Sequence, residues 1–304
     1  MRAAVCGAIN ADWIGTPSGV FHPGDSNPGK VSMRMGGVGR NIAEALLRLG
    51  CQVQMVCGLG EEGTSDLIRH RAEALGIDMS LSRVIPGCVC GTYLCINDDQ
   101  GNVAAAIADM DICDHMTPDF FAPVITELNQ NDFVVLDANL PAETLAYLAR
   151  EVTVPLCADP VSAEKAPRLK EALHRLTLLK PNAPEAEALT GIPIQKEADE
   201  EEAAAALVRA GVKHVFLSLG ERGVLYADKE GFQRLSCMPG VVHNTNGCGD
   251  VFMASAARTL LREGRMDGFA AARYGLAAAA INAESMEAVS PELSPEAVEK
   301  RMER

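Results

Sequence analysis

The chain has 304 residues, of which 48% are hydrophobic and 22% are charged, and its formal net charge is −14. Length and composition are those of a globular protein with a sizeable core, in one large domain or two ordinary ones. The negative charge argues against a nucleic-acid polymer or an anionic membrane as partner, because neither would meet a basic field. A small anion carried with Mg²⁺ stays compatible, since a local site can override the global field.

The N-terminus and the cysteines predict a cytoplasmic protein. Residues 1–15 contain no apolar segment typical of a signal peptide and include Asp12, so they predict a first strand. No run reaches the ~18 apolar residues of a membrane-spanning helix. The ten cysteines form no CxxC pair, and Cys6, Cys57 and Cys157 lie in apolar runs, which predicts buried, reduced thiols.

Strand-like and helix-like segments alternate along the chain. Apolar strand-like runs occupy residues 2–10, 52–60, 132–140, 154–160, 176–182 and 214–220. Helical patterns occupy residues 41–50, 144–152, 162–176 and 201–211. Gly50 stands where a helix-ending glycine belongs. This order predicts an α/β fold, in which a parallel sheet is covered by helices on both faces.

Two segments interrupt the alternation. Residues 13–35 are rich in Gly, Pro and Ser and have no helical period, whereas residues 88–110 resemble two strands joined by the turn "DDQGN". Loops are the alternative for both, but the second segment is too strand-like for a loop alone. We expect the two segments to pair as a small separate sheet at the carboxyl edge of the main sheet, where open α/β sheets bind ligands.

The sequence "GLGEEG" at residues 58–63 matches the G-x-G-x-x-G pattern of dinucleotide-binding loops. Glu61 and Glu62 stand where a pyrophosphate would approach the backbone, and the pattern follows the second predicted strand, not the first. Charge repulsion therefore disfavours a nicotinamide or flavin site, and with it an oxidoreductase. A structural turn is the favoured interpretation.

The sequence "NTNGCGD" at residues 244–250 is better suited to an anion. Gly247 and Gly249 permit unusual backbone angles, so that successive N–H groups can face one point. The apolar run 251–264 predicts a helix whose N-terminal dipole would favour negative charge at that point. Asp250 would then be a general base for a hydroxyl that attacks a bound phosphate, or simply the N-cap of the helix.

A second glycine group, "GGVGRN" at residues 36–41, also opens a predicted helix. Its glycines would let a polyhydroxylated ligand approach the backbone, and Asn41 can both donate to and accept from hydroxyl groups. The first predicted strand ends with Asn10 and Asp12 at a carboxyl edge, where a carboxylate can accept from paired hydroxyls.

Five short elements resemble, in order, motifs of the PfkB (ribokinase-like) family of sugar and nucleoside kinases. They are "GAINAD" at 7–12, "GGVGRN" at 36–41, "KPNAPEAE" at 180–187, "LSLGERGV" at 217–224 and "NTNGCGD" at 244–250. The resemblance implies a ribokinase-like three-layer αβα fold with a mostly parallel central sheet and a small β-sheet lid. Residues 1–12, 36–87 and 111–304 would form the nucleotide- and substrate-binding core, and residues 13–35 and 88–110 the lid inserted in it.

The resemblance also implies the catalytic groups. Asp250 would be the base that deprotonates the acceptor hydroxyl. The backbone N–H groups of Gly247, Cys248 and Gly249 would hold the transferring phosphoryl group. Cys248 is interpreted as a small residue, because a direct in-line transfer needs no thiol nucleophile.

The nucleotide would be ATP with Mg²⁺. The residues implied at its site are Asn182, Glu185, Ser218 and Gly220. Glu185 would act on the metal ion through water, because Mg²⁺ keeps part of its hydration shell. The alternative for Asn182 and Glu185 is a simple helix start after "KPN".

The acceptor would be a small nucleoside or sugar, and the residues implied at its site are Asn10, Asp12, Gly37, Asn41, Thr92 and Asn139. The lid would close over this acceptor and exclude water, and in many relatives it also makes a homodimer contact. Thr92 and the polar loop 22–30 are lid-side candidates for contact with a base.

Three departures from the family pattern bear on substrate and cofactors. Many relatives have Asp where this chain has Asn244, and that Asp belongs to a monovalent-cation loop, so the resemblance leaves K⁺ activation open. Relatives of the ribokinase type carry Lys in place of Val38 and a Glu near residues 137–139, where this chain offers Asp137 and Asn139. The substrate therefore need not be free ribose.

Further local matches lie in residues 26–50, 104–112 and 158–191, above all the "DPVS" element and the run into "LKPN". They are similar to the pseudouridine kinases of this family, which implies ATP-dependent phosphorylation of the 5′-hydroxyl of pseudouridine. A kinase for another nucleoside or for a sugar such as ribose is the alternative within the class. A non-catalytic nucleotide- or sugar-binding regulator is the alternative outside it, against which the retained Asp250 weighs.

Overall fold

The structure is a computed structural model and describes residues 1–262 and 266–303. Eight strands form the large sheet, in the spatial order β14 (Gly231–Leu235), β13 (Val224–Asp228), β12 (His214–Ser218), β11 (Leu176–Leu179), β10 (Leu156–Asp159), β9 (Phe133–Asp137), β1 (Arg2–Cys6) and β4 (Gln52–Val56). The strands from β12 to β4 are parallel, and β13 and β14 extend one edge antiparallel. Such a sheet needs cover on both faces because its parallel strands are apolar on both sides.

Helices cover both faces of this sheet. They are α1 (Val38–Arg48), α2 (Gly63–Leu75), α3 (Pro118–Phe121), α4 (Ile125–Leu128), α5 (Ala142–Glu151), α6 (Ala183–Thr190), α7 (Glu197–Arg209), α8 (Cys248–Leu261), α9 (Gly268–Ala283) and α10 (Pro295–Met302). Successive residues of β1 belong to the cores on opposite faces of the sheet. Val5 belongs to the core that contains side chains of α1, α8 and α9, whereas Cys6 belongs to the core that contains side chains of α5 and α7. The predicted three-layer α/β fold is confirmed.

Four strands form a small separate sheet, in the order β3 (Gly29–Gly36), β2 (Asn10–Pro17), β7 (Gly91–Asn97) and β8 (Val103–Asp109). The β7–β8 pair is antiparallel, and the predicted "DDQGN" turn joins it, with Gly101 at φ 85°. The predicted separate sheet is thus confirmed. Two further short strands, β5 (Gly58–Leu59) and β6 (Arg83–Val84), pair parallel. The division into core and lid stays our proposal, and the residues 263–265 and 304 of the predicted core lie outside the described residues.

Two predicted boundaries were wrong. The first strand ends at Cys6, and Asn10 already belongs to β2, so Asn10 and Asp12 lie in the small sheet and not at the end of the first strand. A Cβ on Gly7 would lie 2.3 Å from Oδ2 of Asp137, so the chain leaves the large sheet where only glycine fits. The helix predicted over 251–264 starts earlier, at Cys248, and its residues 263 and 264 lie outside the described part.

The helix predicted over residues 162–176 was also wrong. Only two short 3₁₀ turns form there, Ala166–Leu169 and Leu173–Arg175. Pro167 lacks an N–H and so cannot support a regular helical ladder. The side chains of Lys165 and Arg168 bond instead to Asn139, at 2.6 and 2.8 Å, which ties the segment to the end of β9.

The ten cysteines are all free; the prediction of burial is confirmed for seven of them and was wrong for Cys237, which is exposed, and for Cys88 and Cys248, which are half-buried. Cys6, Cys57 and Cys157 have no exposed surface, and burial raises the pKa of each thiol; that of Cys57 reaches about 12. Such thiols stay protonated and act as small apolar groups. Among the described helices, none is long and apolar enough to cross a membrane.

Candidate active site

Asp250 lies in the first turn of α8, where two glycine motifs meet. Gly247 is the N-cap and Cys248 the first helical residue, so Asp250 is not the N-cap that the alternative interpretation required. Its Oδ2 accepts a hydrogen bond of 2.6 Å from Nδ2 of Asn41, in the first turn of α1. Gly37 is the N-cap of that helix, with φ 102°. The structure therefore joins the predicted catalytic and acceptor residues by a direct contact.

The surroundings of Asp250 suit a proton acceptor. The side chain is partly buried, and burial raises its pKa to about 7; repulsion from Asp159 adds to this rise. Lys180, Asn41 and Arg40 favour the charged form and oppose the rise. A carboxylate whose pKa lies near neutrality is matched to general-base catalysis, because it is ionised at working pH yet still basic.

The N-terminus of α8 has open backbone donors. Gly247 has φ 76°, and a Cβ there would lie 1.9 Å from the carbonyl oxygen of Ala288, so only glycine fits. The N–H of Cys248 donates to the carbonyl of Thr245 at 3.2 Å. It is therefore not open to the phosphoryl group, although it was one of the three predicted donors. The N–H groups of Gly249 and Asp250 bond no acceptor within the described ranges, so an anion here would meet these two and the helix dipole.

Lys180 and Asp159 form a buried ion pair beside this terminus, and the sequence analysis missed both. Nζ lies 3.1 Å from Oδ2 of Asp159, and a Cβ on Gly249 would lie 2.9 Å from Nζ. Burial alone would lower the pKa of Lys180, but Asp159, Glu185 and Asp250 raise it, so the amine is charged. Both residues follow adjacent parallel strands, in "ADP" and "LLKPN", and this shared carboxyl edge is the signal that could have identified them.

Asn182 and Glu185 cap each other at the start of α6. The Asn182 side chain accepts from the N–H of Glu185, and a Glu185 oxygen accepts from the N–H of Asn182, both at 2.9 Å. The other Glu185 oxygen accepts from Nδ2 of Asn182, also at 2.9 Å. The two residues thus start a helix, as the alternative interpretation predicted, and the structure adds that they form a capping box. Burial raises the pKa of Glu185, and Lys180 opposes the rise.

A direct Mg²⁺ cage does not fit these residues. Both oxygens of Glu185 are bonded within the capping box, and the part of the chain that the structure describes has no group of three or more His, Cys, Asp or Glu side chains that could hold a metal ion. An ion here would keep its water and phosphate ligands, as Mg²⁺ commonly does. Glu185 and Asp159 would then act only as outer carboxylates.

Ser218 and Gly220 lie next to this capping box. Ser218 ends β12 and forms a bridge with Asn182, and its N–H donates to the carbonyl of Pro181 at 2.8 Å. Gly220, with φ 62°, begins a short 3₁₀ turn. The structure thus brings the predicted nucleotide residues together at the carboxyl ends of β11 and β12.

Asn10, Asp12 and Thr92 lie on neighbouring strands of the small sheet. The Asn10 Nδ2 donates to Oδ1 of Asp12, and Asn10 is buried. Burial raises the pKa of Asp12, and the positive charge of Arg40 opposes that rise. Thr92 is on β7, and its Oγ1 donates to the carbonyl of Cys90 at 3.0 Å. In the register of the two strands Thr92 pairs with Ala11, so it lies level with the Asn10–Asp12 pair in the adjacent strand.

Asp137 is the last residue of β9, Asn139 follows the strand, and both are buried. Asp137 accepts from the N–H groups of Ala8 and Gly39 through Oδ2, at 2.8 and 2.9 Å, and from the N–H of Asn139 through Oδ1 at 2.9 Å. It therefore ties the ends of β1 and β9 to the start of α1. The Oδ1 of Asn139 accepts from Nζ of Lys165 at 2.6 Å, so this oxygen is already engaged.

The turn at residues 58–63 is filled by its own side chains. Glu62 is the N-cap of α2, and its carboxylate accepts from the N–H groups of Ser65 and Cys90 at 3.2 and 3.0 Å. Glu61 accepts from the N–H of Gly87 at 2.8 Å. The turn's own donors are engaged as well, since the N–H of Gly60 donates to Oγ of Ser65 at 2.7 Å and that of Glu61 to the carbonyl of Cys88 at 3.1 Å, which supports the interpretation as a structural turn.

Asn244 gives a monovalent cation little to bind. Its Oδ1 accepts from the N–H of Asn246 at 3.0 Å, and its Nδ2 points to the carbonyl of Met286 at 3.4 Å. The amide oxygen is engaged, and no carboxylate stands at this position. The position at which many relatives carry Asp thus holds an uncharged amide whose oxygen is already engaged.

A cleft of about 540 Å³ adjoins the site. Its walls come from β2, β3, α1, the end of α2 and the loops 244–247 and 286–291. Asp12, Arg40, Asn41 and Gly247 contribute to these walls. The cleft therefore lies between the small sheet and α1, the helix that carries Asn41.

The chain matches the family model of the pfkB family carbohydrate kinases over residues 2–295. It therefore belongs to this family of sugar and nucleoside kinases, which are phosphotransferases with an alcohol group as acceptor. Ribokinase-like kinases use ATP and bind small-molecule sugars or nucleosides. The resemblance stated from five short motifs is thus confirmed.

Individual relatives agree with this assignment. The chain is 32% identical over 255 residues to the pseudouridine kinase of Escherichia coli (strain K12), which covers 83% of this chain and 82% of that relative. It is similar to a solved carbohydrate kinase from Agrobacterium tumefaciens, with a TM-score of 0.87, 29% identity and coverage of 100% and 97% of the two chains. The Arabidopsis thaliana ribokinase solved with ribose and ATP shares the fold, with a TM-score of 0.87, 22% identity and coverage of 100% and 99%.

Proposed function

We propose that the protein transfers the γ-phosphoryl group of ATP to the 5′-hydroxyl of pseudouridine, with Asp250 as the general base. The observation that carries this proposal is the placement of Asp250 beside the open N-terminus of α8 and in contact with Asn41. The similarity to a pseudouridine kinase supports the choice of acceptor.

The step uses groups that are already in place. Asp250 takes the proton of the 5′-hydroxyl while the oxygen of that hydroxyl forms a bond to the γ-phosphorus. The bond between this phosphorus and the β,γ-bridging oxygen breaks at the same time, which releases ADP. The open N–H groups of α8 and the charged Lys180 stabilise the negative charge on the transferring group. Because Asp250 must be ionised, kcat/KM should fall as the pH drops below about 7.

The remaining site residues divide between the two substrates. Asp12 accepts from sugar hydroxyls, and the residues that assist it are Asn10, Gly37, Asn41, Thr92 and Asn139. The residues that hold the nucleotide are Asn182, Glu185, Ser218 and Gly220. Mg²⁺ would travel with the nucleotide and neutralise phosphate charge, with Glu185 acting through water.

The small sheet is proposed as the lid that closes over the acceptor and excludes water. Its edge strand β8 is exposed throughout and carries apolar side chains; Val103 and Ile107 are 58% and 67% exposed. An exposed, apolar edge strand is a surface that a second copy would cover, so we also propose a homodimer through the lid. A monomer in sedimentation equilibrium at micromolar concentration would contradict the dimer.

The acceptor is tested by ATP consumption with pseudouridine, uridine, adenosine and ribose under identical conditions. We expect the highest kcat/KM with pseudouridine. Turnover of ribose or adenosine far above pseudouridine would overturn the substrate proposal and favour another nucleoside or sugar kinase. Binding of nucleotide without turnover of any acceptor would instead favour the non-catalytic regulator.

A further inference from the structure

Arg40 carries a buried positive charge in α1, one residue before Asn41, and is only 4% exposed. Its Nη1 donates to Glu44 at 2.7 Å, and its Nη2 donates to the carbonyl oxygen of Met35. Arg48 lies 2.7 Å from the other oxygen of Glu44, so the three charged side chains on one face of α1 hold each other. The Nε of Arg40 has no partner among the described residues. The guanidinium is thus fixed in place but not fully neutralised.

The neighbours of Arg40 link it to two carboxylates of the candidate active site. Its partner Met35 is followed by Gly36, which lies against Asp12: a Cβ on Gly36 would be 2.2 Å from Oδ1 of Asp12. Asn41, the residue after Arg40 in α1, donates to Asp250 at 2.6 Å. Asp12, Arg40 and Asn41 all line the same cleft. One buried cation is therefore linked through its neighbours to both the acceptor carboxylate and the base.

Two cations oppose the effect of burial on the pKa of Asp250, and Lys180 contributes more than Arg40. The groups that face Asp250 are Asp159 from β10, Lys180 after β11, Arg40 from α1 and Cys248 from its own helix, and those that face Asp12 are Arg40 and Tyr93. Lys180 is already paired with Asp159 at 3.1 Å and also faces Glu185. Arg40 is the cation that lowers the pKa of both Asp12 and Asp250 against the effect of burial.

We propose that Arg40 is a positioning residue for the transfer: it is the positive charge shared by Asp12 and Asp250, and it fastens the end of β3 to α1. The inference rests on the proposed role of Asp250 as base. Arg40 contacts neither the acceptor nor the phosphates in this scheme and acts through the two carboxylates. Its loss should therefore alter the pH dependence of the reaction, which a purely structural role would not do.

The test measures kcat/KM against pH for three variants, after circular dichroism has confirmed that each is folded. The readout is the acid limb of this profile, the pH range in which kcat/KM falls as Asp250 becomes protonated. Arg40→Met removes the charge and should move the acid limb to higher pH by about one pH unit, a roughly tenfold loss of activity on that limb, since a nearby opposite charge shifts a pKa by about that much or more. Arg40→Lys keeps the charge and should keep the limb of the unmodified protein. Arg48→Met also deprives Glu44 of a partner, but it should leave the limb unmoved.

An acid limb in Arg40→Met that coincides with that of the unmodified protein would overturn the inference. If Arg40→Met does not fold, Arg40→Lys still decides, because a limb displaced by a pH unit despite the retained charge would contradict the charge role. Asp250→Asn separates the two proposals. Activity in that variant would overturn the role of Asp250 as base, whereas an inactive Asp250→Asn combined with an unmoved limb in Arg40→Met would overturn the inference on Arg40 alone.

Discussion

Two glycine turns in this molecule each open a helix, and they differ in what meets the helix N-terminus. At α2, Glu62 caps the helix and its carboxylate also accepts from the N–H of Cys90. At α8, Gly247 is the N-cap without a side-chain bond, and the carboxylate of Asp250 contacts Asn41 from another helix. One turn satisfies its own donors, and the other leaves them open beside a carboxylate.

The comparison shows that the G-x-G spacing alone does not make an anion site. Both turns have glycines and a nearby acid, and both precede a helix. What separates them is the direction of the carboxylate: Glu62 points back to its own helix terminus, whereas Asp250 points across to α1. An anion can approach only the second terminus, because at the first it would have to displace a bonded glutamate.

The largest effect is expected from Asp250→Asn. We expect kcat to fall about 10²–10⁴-fold, the range contributed by a positioned base, while nucleotide binding is retained. The pKa of Asp250 is raised in the folded state, so this group costs stability progressively as the pH rises from its ordinary pKa of 3.8 to about 7, and in full above that. The variant should therefore unfold at an equal or higher temperature at pH 8.

Glu62→Gln is the matched control at the other turn and should leave kcat unaltered. A loss of kcat within about tenfold for Asp250→Asn would contradict the role of Asp250 as base.

Gly247→Ala should have the next largest effect. The new Cβ would lie 1.9 Å from the carbonyl oxygen of Ala288 at a φ of 76°. We expect a loss of about 1–3 kcal/mol in the free energy of unfolding, measured by urea denaturation, together with a reduced kcat. At the other turn, a Cβ on Gly63 meets nothing within 4 Å, so Gly63→Ala should stay within about 1 kcal/mol of the original stability. Equal effects at both positions would remove the distinction between the turns.

The smallest effect is expected from Glu62→Ala. Removal of an N-cap should lower the free energy of unfolding by about 1 kcal/mol, since α2 loses the bond to Ser65. Both kcat and the KM for ATP should remain as in the unmodified protein, because this turn has no part in the transfer. A selective rise in the KM for ATP would show that residues 58–63 contribute to nucleotide binding after all.

Local patterns predicted a large part of this architecture. The apolar runs around residues 133–137 and 214–218 became parallel strands, and Gly50 adopts the positive φ of a helix-ending glycine, because strand burial and helix termination depend on neighbouring residues. The helix over 162–176 failed for one local reason, since Pro167 interrupts the helical ladder, and for one non-local reason, since Lys165 and Arg168 form long-range bonds to Asn139. The end of the first strand was misplaced for a similar reason, since Asp137 crowds Gly7 from a distant strand.

The sequence by itself determined the α/β class, the two glycine motifs and the identity of Asp250 as the acid to examine, since spacing and residue chemistry are properties of short segments. Only the tertiary structure decided which helix terminus stays open, because that depends on where each carboxylate finds a partner. It also brought Lys180, Asp159 and Arg40 to Asp250. Those residues come from separate strands and helices, and their electrostatic effect on one another exists only once the chain is folded.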